Sequence, residues 1–345
     1  MRKTQKTIHM ALQGGGAHGA YTWGVIDKLL EDGRINFDGI CATSAGSINA
    51  VVFASGKLKD GHDGARQALY DLWYSISVAG NNMFGPQNMG PLYKKMRSMT
   101  HSMFDTITHM VSPYQFNPYN YNVLREIIEK QVDFDRIKKC KLSNLFISTT
   151  NVKTGKVKIF NNKELSIDVI MASTCLPYLF QAVKIDDEFY WDGGYMGNPA
   201  IFPLFYHGGT NDVLIIHINP IVRSNLPTTP EEIMNRINEI TFNSSLLAEF
   251  RAVAFVNKLL EKKLLKDKHK DLFRHILVHS VRADDSLKEL DVSSKFDTNW
   301  NFLTHLRDLG RSEAANWLAK NFKYIGKKSS VDLEQEYLRN SDKIV

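Results

Sequence analysis

Ser44 stands in Ala42-Thr43-Ser44-Ala45-Gly46, between an extended apolar run (Ile35 to Cys41) and a run of small and apolar residues with helical character (Ala45 to Ala54). A sharp strand-to-helix turn lifts a serine Oγ clear of a sheet and aims the unpaired N–H groups of the new helix at the same spot. Small residues at Ala42, Ala45 and Gly46 suit such a turn, because strand and helix backbones nearly touch there. A lone serine among small residues is as often an ordinary tight turn, so its meaning depends on two other segments.

The first is Gln13-Gly14-Gly15-Gly16-Ala17-His18-Gly19, after the apolar run Thr7 to Leu12 and before a helix expected over Ala20 to Leu30 and closed by Gly33. Consecutive glycines turn their N–H groups outward with no side chain in the way, which makes an anion cradle at a helix start. Gly14, Gly16 and Gly19 also satisfy the dinucleotide fingerprint. That reading wants an acidic residue ending the second strand, whereas Asp38 precedes the apolar part of its strand and Ser44 ends it. The other anion that suits the cradle is the oxyanion of acyl transfer. The second segment is Asp192-Gly193-Gly194, reached through Val183 to Trp191, which reads as a hairpin turning at Asp186-Asp187. Alone, an Asp-Gly-Gly is most simply a turn.

Together, these three motifs in this order resemble the patatin-like phospholipases. Ala172-Ser173 with Pro177 before the hairpin, and Asn198-Pro199 after it, add to the likeness, which covers about residues 7 to 205. The resemblance implies a three-layer α/β/α sandwich with a mostly parallel central sheet, and cleavage of lipid acyl esters by a Ser–Asp dyad. It makes Ser44 the nucleophile, Asp192 the base, and Gly14, Gly15 and Gly16 the oxyanion-hole donors; His18, Gly19, Ala42, Gly46, Gly193 and Gly194 support those motifs. Two departures stand out. The elbow begins with Ala42 where glycine is usual, and His18 occupies a place that is often Arg or Lys. A histidine there makes any charge contribution pH-dependent near neutrality.

The chemistry is self-consistent: ester cleavage needs an activated hydroxyl, a proton acceptor and donors for the developing oxyanion. Aromatic neighbours Tyr190, Trp191 and Tyr195 make a desolvated Asp192 with a raised pKa plausible. A rival Ser–His–Asp triad would draw on His217 or His279, each better explained as a strand histidine, or on His18 beside the loop. The competing functions are an acyltransferase of the same fold, a nicotinamide-type oxidoreductase using the glycines, and a lipid-binding pseudoenzyme.

The 345 residues fit one catalytic domain over 1–325 with a polar, mobile tail over 326–345. Cys41, Cys140 and Cys175 are three and scattered, which argues for reduced thiols and a cytoplasmic setting. No zinc-type or calcium-type cluster occurs, so neither metal nor cofactor is implied. The apolar stretch after the basic Met1 to Lys6 is too short for a signal peptide, and no run approaches the ~20 apolar residues of a membrane span. A net charge of +6 favours peripheral contact with an anionic membrane, and no nucleic-acid module is present. The lysine run Lys262, Lys263, Lys266, Lys268 and Lys270 reads as a solvated helix end or loop.

Residues 75–121 hold Met83, Met89, Met96, Met99, Met103 and Met110, more than half of the chain's 11 methionines. Met96, Met99, Met103, Ile107 and Met110 form one helical stripe behind Lys94, Lys95 and Arg97. The stripe is either core or an insertion that lines an acyl pocket or acts as a lid. Further strands are expected over Leu145 to Thr150, Lys156 to Phe160, Asp212 to Ile218 and Ile276 to Val281. One or two helices are expected over Glu231 to Lys263, and a helix or a pair broken at Gly310 over Phe302 to Phe322.

Overall fold

Alternation along the central strands sets the layering. In β1 (Lys6–Leu12), Met10 and Leu12 enter one apolar cluster while Ala11 enters a second. In the strand over Asp212–His217, Leu214 and Ile216 join the first cluster and Val213 and Ile215 the second. Successive side chains of a strand point to opposite faces, so strands apolar at every position need cover on both sides. The structure, a computed structural model, describes residues 5–84, 111–139, 143–223, 225–266, 272–287, 290 and 293–339.

After β1 come α1 (Gly19–Asp32), β2 (Ile35–Ala42) and α2 (Ala45–Phe84). Short helices α3 (Pro113–Phe116), α4 (Val123–Gln131) and α5 (Phe134–Lys139) lead to β3 (Asn144–Asn151) and β4 (Val157–Asn161). Then follow α6 (Ile167–Ser173), the hairpin β5 (Val183–Ile185) and β6 (Glu188–Asp192), α7 (Phe202–Tyr206) and β7 (Asp212–His217). The chain closes with α8 (Pro230–Glu261), β8 (Leu277–Arg282), α9 (Asp284–Leu287) and α10 (Trp300–Asn321). The sheet runs β5-β6-β3-β2-β1-β7-β8, with β4 paired to β3. Its centre (β3, β2, β1, β7, β8) is parallel, and β4, β5 and β6 pair antiparallel. Residues of α1, α2 and α10 fill the first cluster, and those of α7 and α8 the second. The chain is thus the expected α/β sandwich.

Differences from the sequence reading have local causes. The helix after Ser44 continues far past Ala54, with a kink where Asp60 and Gly61 leave helical φ/ψ. Residues 230–261 form one helix, opened by a capping box from Thr229 and Glu232. Gly310 does not break α10; a Cβ there would strike the Tyr21 carbonyl of α1, so the glycine permits close helix contact. The polar tail is docked as far as Arg339: Leu333 and Tyr337 are buried in the second cluster, and Tyr337 meets Phe250 edge-to-face. Of the Met-rich stretch, 85–110 lies outside the described residues, as do Cys140, Lys268 and Lys270.

Tyr337 is 6% exposed and its hydroxyl bonds Ser280 Oγ at 2.7 Å, so Tyr337→Ala empties an aromatic site against β8 and α8. A loss of about 3 kcal/mol in urea unfolding is expected. An unchanged midpoint would mean that this part of the tail contributes nothing.

Candidate active site

The parallel register brings the site together. Leu12, the last residue of β1, lies opposite both Ala42 of β2 and Ile216 of β7, so the loops that follow emerge at one end of the sheet. In open parallel sheets that end is where ligand sites form. Ala42 keeps its methyl inside the first apolar cluster, and the elbow turns despite it. Ser44 itself has φ 53°, a left-handed backbone that a non-glycine residue adopts only when its surroundings impose it. Several bonds do so. Its N–H donates to Ser173 Oγ at 3.0 Å, Ser173 Oγ donates to the Ser148 carbonyl at 2.8 Å, and Thr43 Oγ1 donates to the Gly197 carbonyl at 2.6 Å. The Ser44 carbonyl receives the N–H groups of Ser47 and Ile48, which starts α2 on Ser44. A side chain at Gly46 would hit the Leu12 carbonyl, so this crossing demands glycine.

Asp192 ends β6 and is 1% exposed. Its main chain is fixed by its N–H on the Cys175 carbonyl (2.8 Å) and by Thr150 Oγ1 on its own carbonyl (2.9 Å). Oδ1 accepts the Gly194 N–H at 2.7 Å, and a Cβ at Gly193 would collide with the Ser148 carbonyl. The Asp-Gly-Gly thus orients the carboxylate and also turns the chain. Burial pushes the carboxyl pKa up to about 7, opposed by the Gly194 N–H and by the Ser44 hydroxyl, which donates toward it. The Ser44 contact is loose, since Oδ2 has no partner at full hydrogen-bond geometry. A buried carboxylate oxygen kept open beside a serine is arranged to accept a proton.

The glycine loop needs one correction. The Gly14 N–H is already donated to Asn198 Oδ1 at 2.6 Å, so it is not available to an oxyanion. Gly14 serves by lacking a side chain: a Cβ there would sit 2.5 Å from Ser44 Cβ. Among the described residues the N–H groups of Gly15, Gly16 and Ala45 bond no acceptor. Gly16 holds φ 58° with the Lys295 carbonyl against it, and Gly19 packs on Ala45 and Trp73.

His18 is corrected too. It is 3% exposed, its Nε2 pairs with Ser294 Oγ at 2.7 Å, and burial with the Lys295 and Arg223 charges takes its pKa down to about 3. It stays neutral across the physiological range and makes no bond to Ser44 or Asp192, so neither a pH-dependent charge nor a triad role remains. His217 Nε2 pairs with Asn243 Oδ1 at 3.1 Å. His279 Nε2 pairs with Asp212 Oδ1 at 2.9 Å. Asp212 lies four residues before Ile216 on β7, about 13 Å back from the strand ends at Leu12 and Ala42 beyond which Ser44 lies. Asp38 lies equally far back on β2, between His9 and His207, away from the glycine loop that a dinucleotide would need it beside.

A polar network beneath the loop escaped the sequence reading. Gln13 Oε1 accepts the N–H groups of Ile218 and Asn219, and its Nε2 donates to the Asn198 carbonyl and Asn243 Oδ1. Asn219 Nδ2 donates to the Gly14 carbonyl at 2.7 Å. Only Asn198-Pro199 carried a signal, and its partners in the loop, Gln13 and Gly14, lie 185 and 184 positions away. A cleft of about 500 Å³ between α1, α2 and α10 is separate from these residues; its Arg66 and Arg311 pair with Asp27. Cys41 and Cys175 are buried free thiols. Among the described residues no group of three His, Cys, Asp or Glu could hold a metal, and no helix is long and apolar enough to cross a membrane.

The profile described as Patatin-like phospholipase matches residues 10–205. No protein of curated function matches the chain. Among solved structures, VipD from Legionella pneumophila aligns at 13% identity with a TM-score of 0.45, over 97% of this chain and 73% of its own. ExoU from the type III secretion system of Pseudomonas aeruginosa, solved in complex with SpcU, aligns at 15% and 0.34 over 92% of this chain. The chain spans about half of the ExoU chain, 53%.

A carboxyl with a raised folded pKa holds its proton after the unfolded chain has released it, so it lowers stability as pH climbs from about 4 to about 7. Asp192→Asn removes that cost. Its melting temperature at pH 8 is expected to equal or exceed that of the wild type; a marked drop would mean the carboxylate is a structural anchor.

Proposed function

The chain belongs to the patatin-like phospholipase family, and from that premise we propose that it hydrolyses lipid acyl esters, phospholipids or related lipids, through an acyl-Ser44 intermediate. The observation that carries this reading is the open Asp192 Oδ2, buried and faced by the Ser44 hydroxyl.

In the proposed sequence Ser44 Oγ attacks the ester carbonyl while Asp192 Oδ2 takes its proton. The carbonyl oxygen becomes an oxyanion and accepts N–H donors from Gly15 and Gly16, with the Ala45 N–H nearby in sequence to the nucleophile. Asp192 then protonates the leaving alkoxide, a water molecule loses its proton to Asp192 and attacks the acyl ester, and Ser44 is released. The raised pKa suits both halves: a carboxylate near 7 accepts a proton and gives it back at neutral pH. Backbone donors fixed before substrate arrives need no rearrangement as charge develops. The chain's net charge of +6 supports an anionic lipid surface as the place of encounter.

A fluorophosphonate probe is expected to label the wild type and to leave Ser44→Ala unlabelled. Asp192→Asn should lose about 10²–10⁴ in kcat, the span attributed to a general base. Labelling of Ser44→Ala at the wild-type rate would overturn the serine reading. With a soluble ester, kcat/KM should fall as pH drops through about 7, because protonated Asp192 accepts nothing. A profile flat down to pH 5 would remove Asp192 as the base.

A further inference from the structure

The proposed hydrolysis uses Ser44, Asp192 and loop amides, yet an ammonium that no step uses lies one side chain behind them. Lys295 belongs to the short 3-10 turn Ser293–Phe296, more than 270 residues from the glycine loop on which it packs. Its carbonyl abuts Gly16, and its neighbour Ser294 bonds His18. Lys295 Nζ donates to Asn219 Oδ1 at 3.1 Å, and Asn219 Nδ2 holds the Gly14 carbonyl at 2.7 Å. The same Asn219 Oδ1 would stand 3.7 Å from a Cβ at Gly15. The ammonium therefore holds the side chain that holds the Gly14 carbonyl, one residue before the free Gly15 amide.

Glu239 is 2% exposed and already binds Arg223 at 2.6 Å and Arg236 at 3.0 Å. Lys295 bonds the neutral side-chain amide of Asn219, and among the described residues it makes no ion pair with Glu239, whose carboxylate binds Arg223 and Arg236. Burial is the main force lowering the Lys295 pKa, to about 8, with Glu239 opposing and Arg223 assisting; at neutral pH the ammonium remains charged. A desolvated cation is costly unless its charge is used.

We propose that Lys295 is a positioning residue for the ester cleavage: its ammonium fixes Asn219, and through it the glycine loop, and sets positive charge behind the amides that receive the oxyanion. The inference rests on the serine-esterase reading. A neutral ground-state carbonyl gains little from that charge and a tetrahedral oxyanion gains much, so the effect falls on kcat and not on KM.

Lys295→Met keeps the stem without the charge, Lys295→Gln keeps a hydrogen-bond donor for Asn219 without the charge, and Lys295→Arg keeps the charge. On a soluble p-nitrophenyl ester, the Met and Gln variants should each lose about 10-fold in kcat, below the 10²–10³ of a direct donor. KM should stay within about twofold, and Arg should recover most of the rate. Rates are taken per folded protein, measured by circular dichroism, and the Gln variant decides if Met folds poorly. Ser44→Ala runs alongside. If it hydrolyses as fast as the wild type, the esterase reading fails whatever Lys295 does. If it is inactive while the Gln variant keeps the wild-type kcat, or Arg is as slow as Gln, only the Lys295 proposal is overturned.

Discussion

At the ends of β1 and β2 two backbones meet so closely that Gly14 rests on the Ser44 side chain and Gly46 on the Leu12 carbonyl. Both contacts follow from the parallel register that sets Leu12 beside Ala42. Neither position accepts a Cβ without moving a strand that is apolar on both faces. The left-handed Ser44 backbone is therefore held by the core of the domain, through Ser173, Ser148 and Thr43, and not by the loop alone. Strain of this kind persists only where surrounding packing over-determines it. Here that packing is the sheet itself.

Electrostatics follow from the same layering. Asp192 lies at the end of a strand inside the fold, so water cannot stabilise its charge and its pKa rises. The glycine loop follows β1, which β3 and β2 separate from β6 in the sheet, and Lys295 supports it through Asn219. In the proposed reading, a proton acceptor and a region favourable to negative charge flank the Ser44 hydroxyl. The polar network of Gln13, Asn198, Asn219 and Asn243 satisfies the Gly14 N–H and carbonyl; a half-satisfied network at this depth would cost stability.

What the sequence made legible was local. Strand-to-helix punctuation at Ala42–Gly46, the triple glycine and the Asp-Gly-Gly hairpin each encode a backbone shape within a few residues, and shapes of that kind survive folding. Strand ends fell within a residue or two because apolar runs bounded by Gly, Asp and Asn leave little choice. Long-range pairings were not legible. That Asn198 occupies the Gly14 amide, or that Lys295 supports Gly16, depends on residues 184 and 279 positions apart, and no spacing rule reaches so far. His18 misled for a related reason: its neighbours in sequence are small and open, while the side chains that bury it come from the other end of the chain. Gly310 misled because a helix-breaking residue type was serving as a helix-contact residue.

The central claim is that Ser44 attacks while the amides of Gly15 and Gly16 take the charge. A crystal structure of the protein after reaction with an alkyl fluorophosphonate tests it most directly. Phosphorus should be bonded to Ser44 Oγ, with the phosphonyl oxygen about 3 Å from both amide nitrogens and the Gly14 N–H still on Asn198. Phosphorus on another residue, or a phosphonyl oxygen turned away from both amides, would contradict the account.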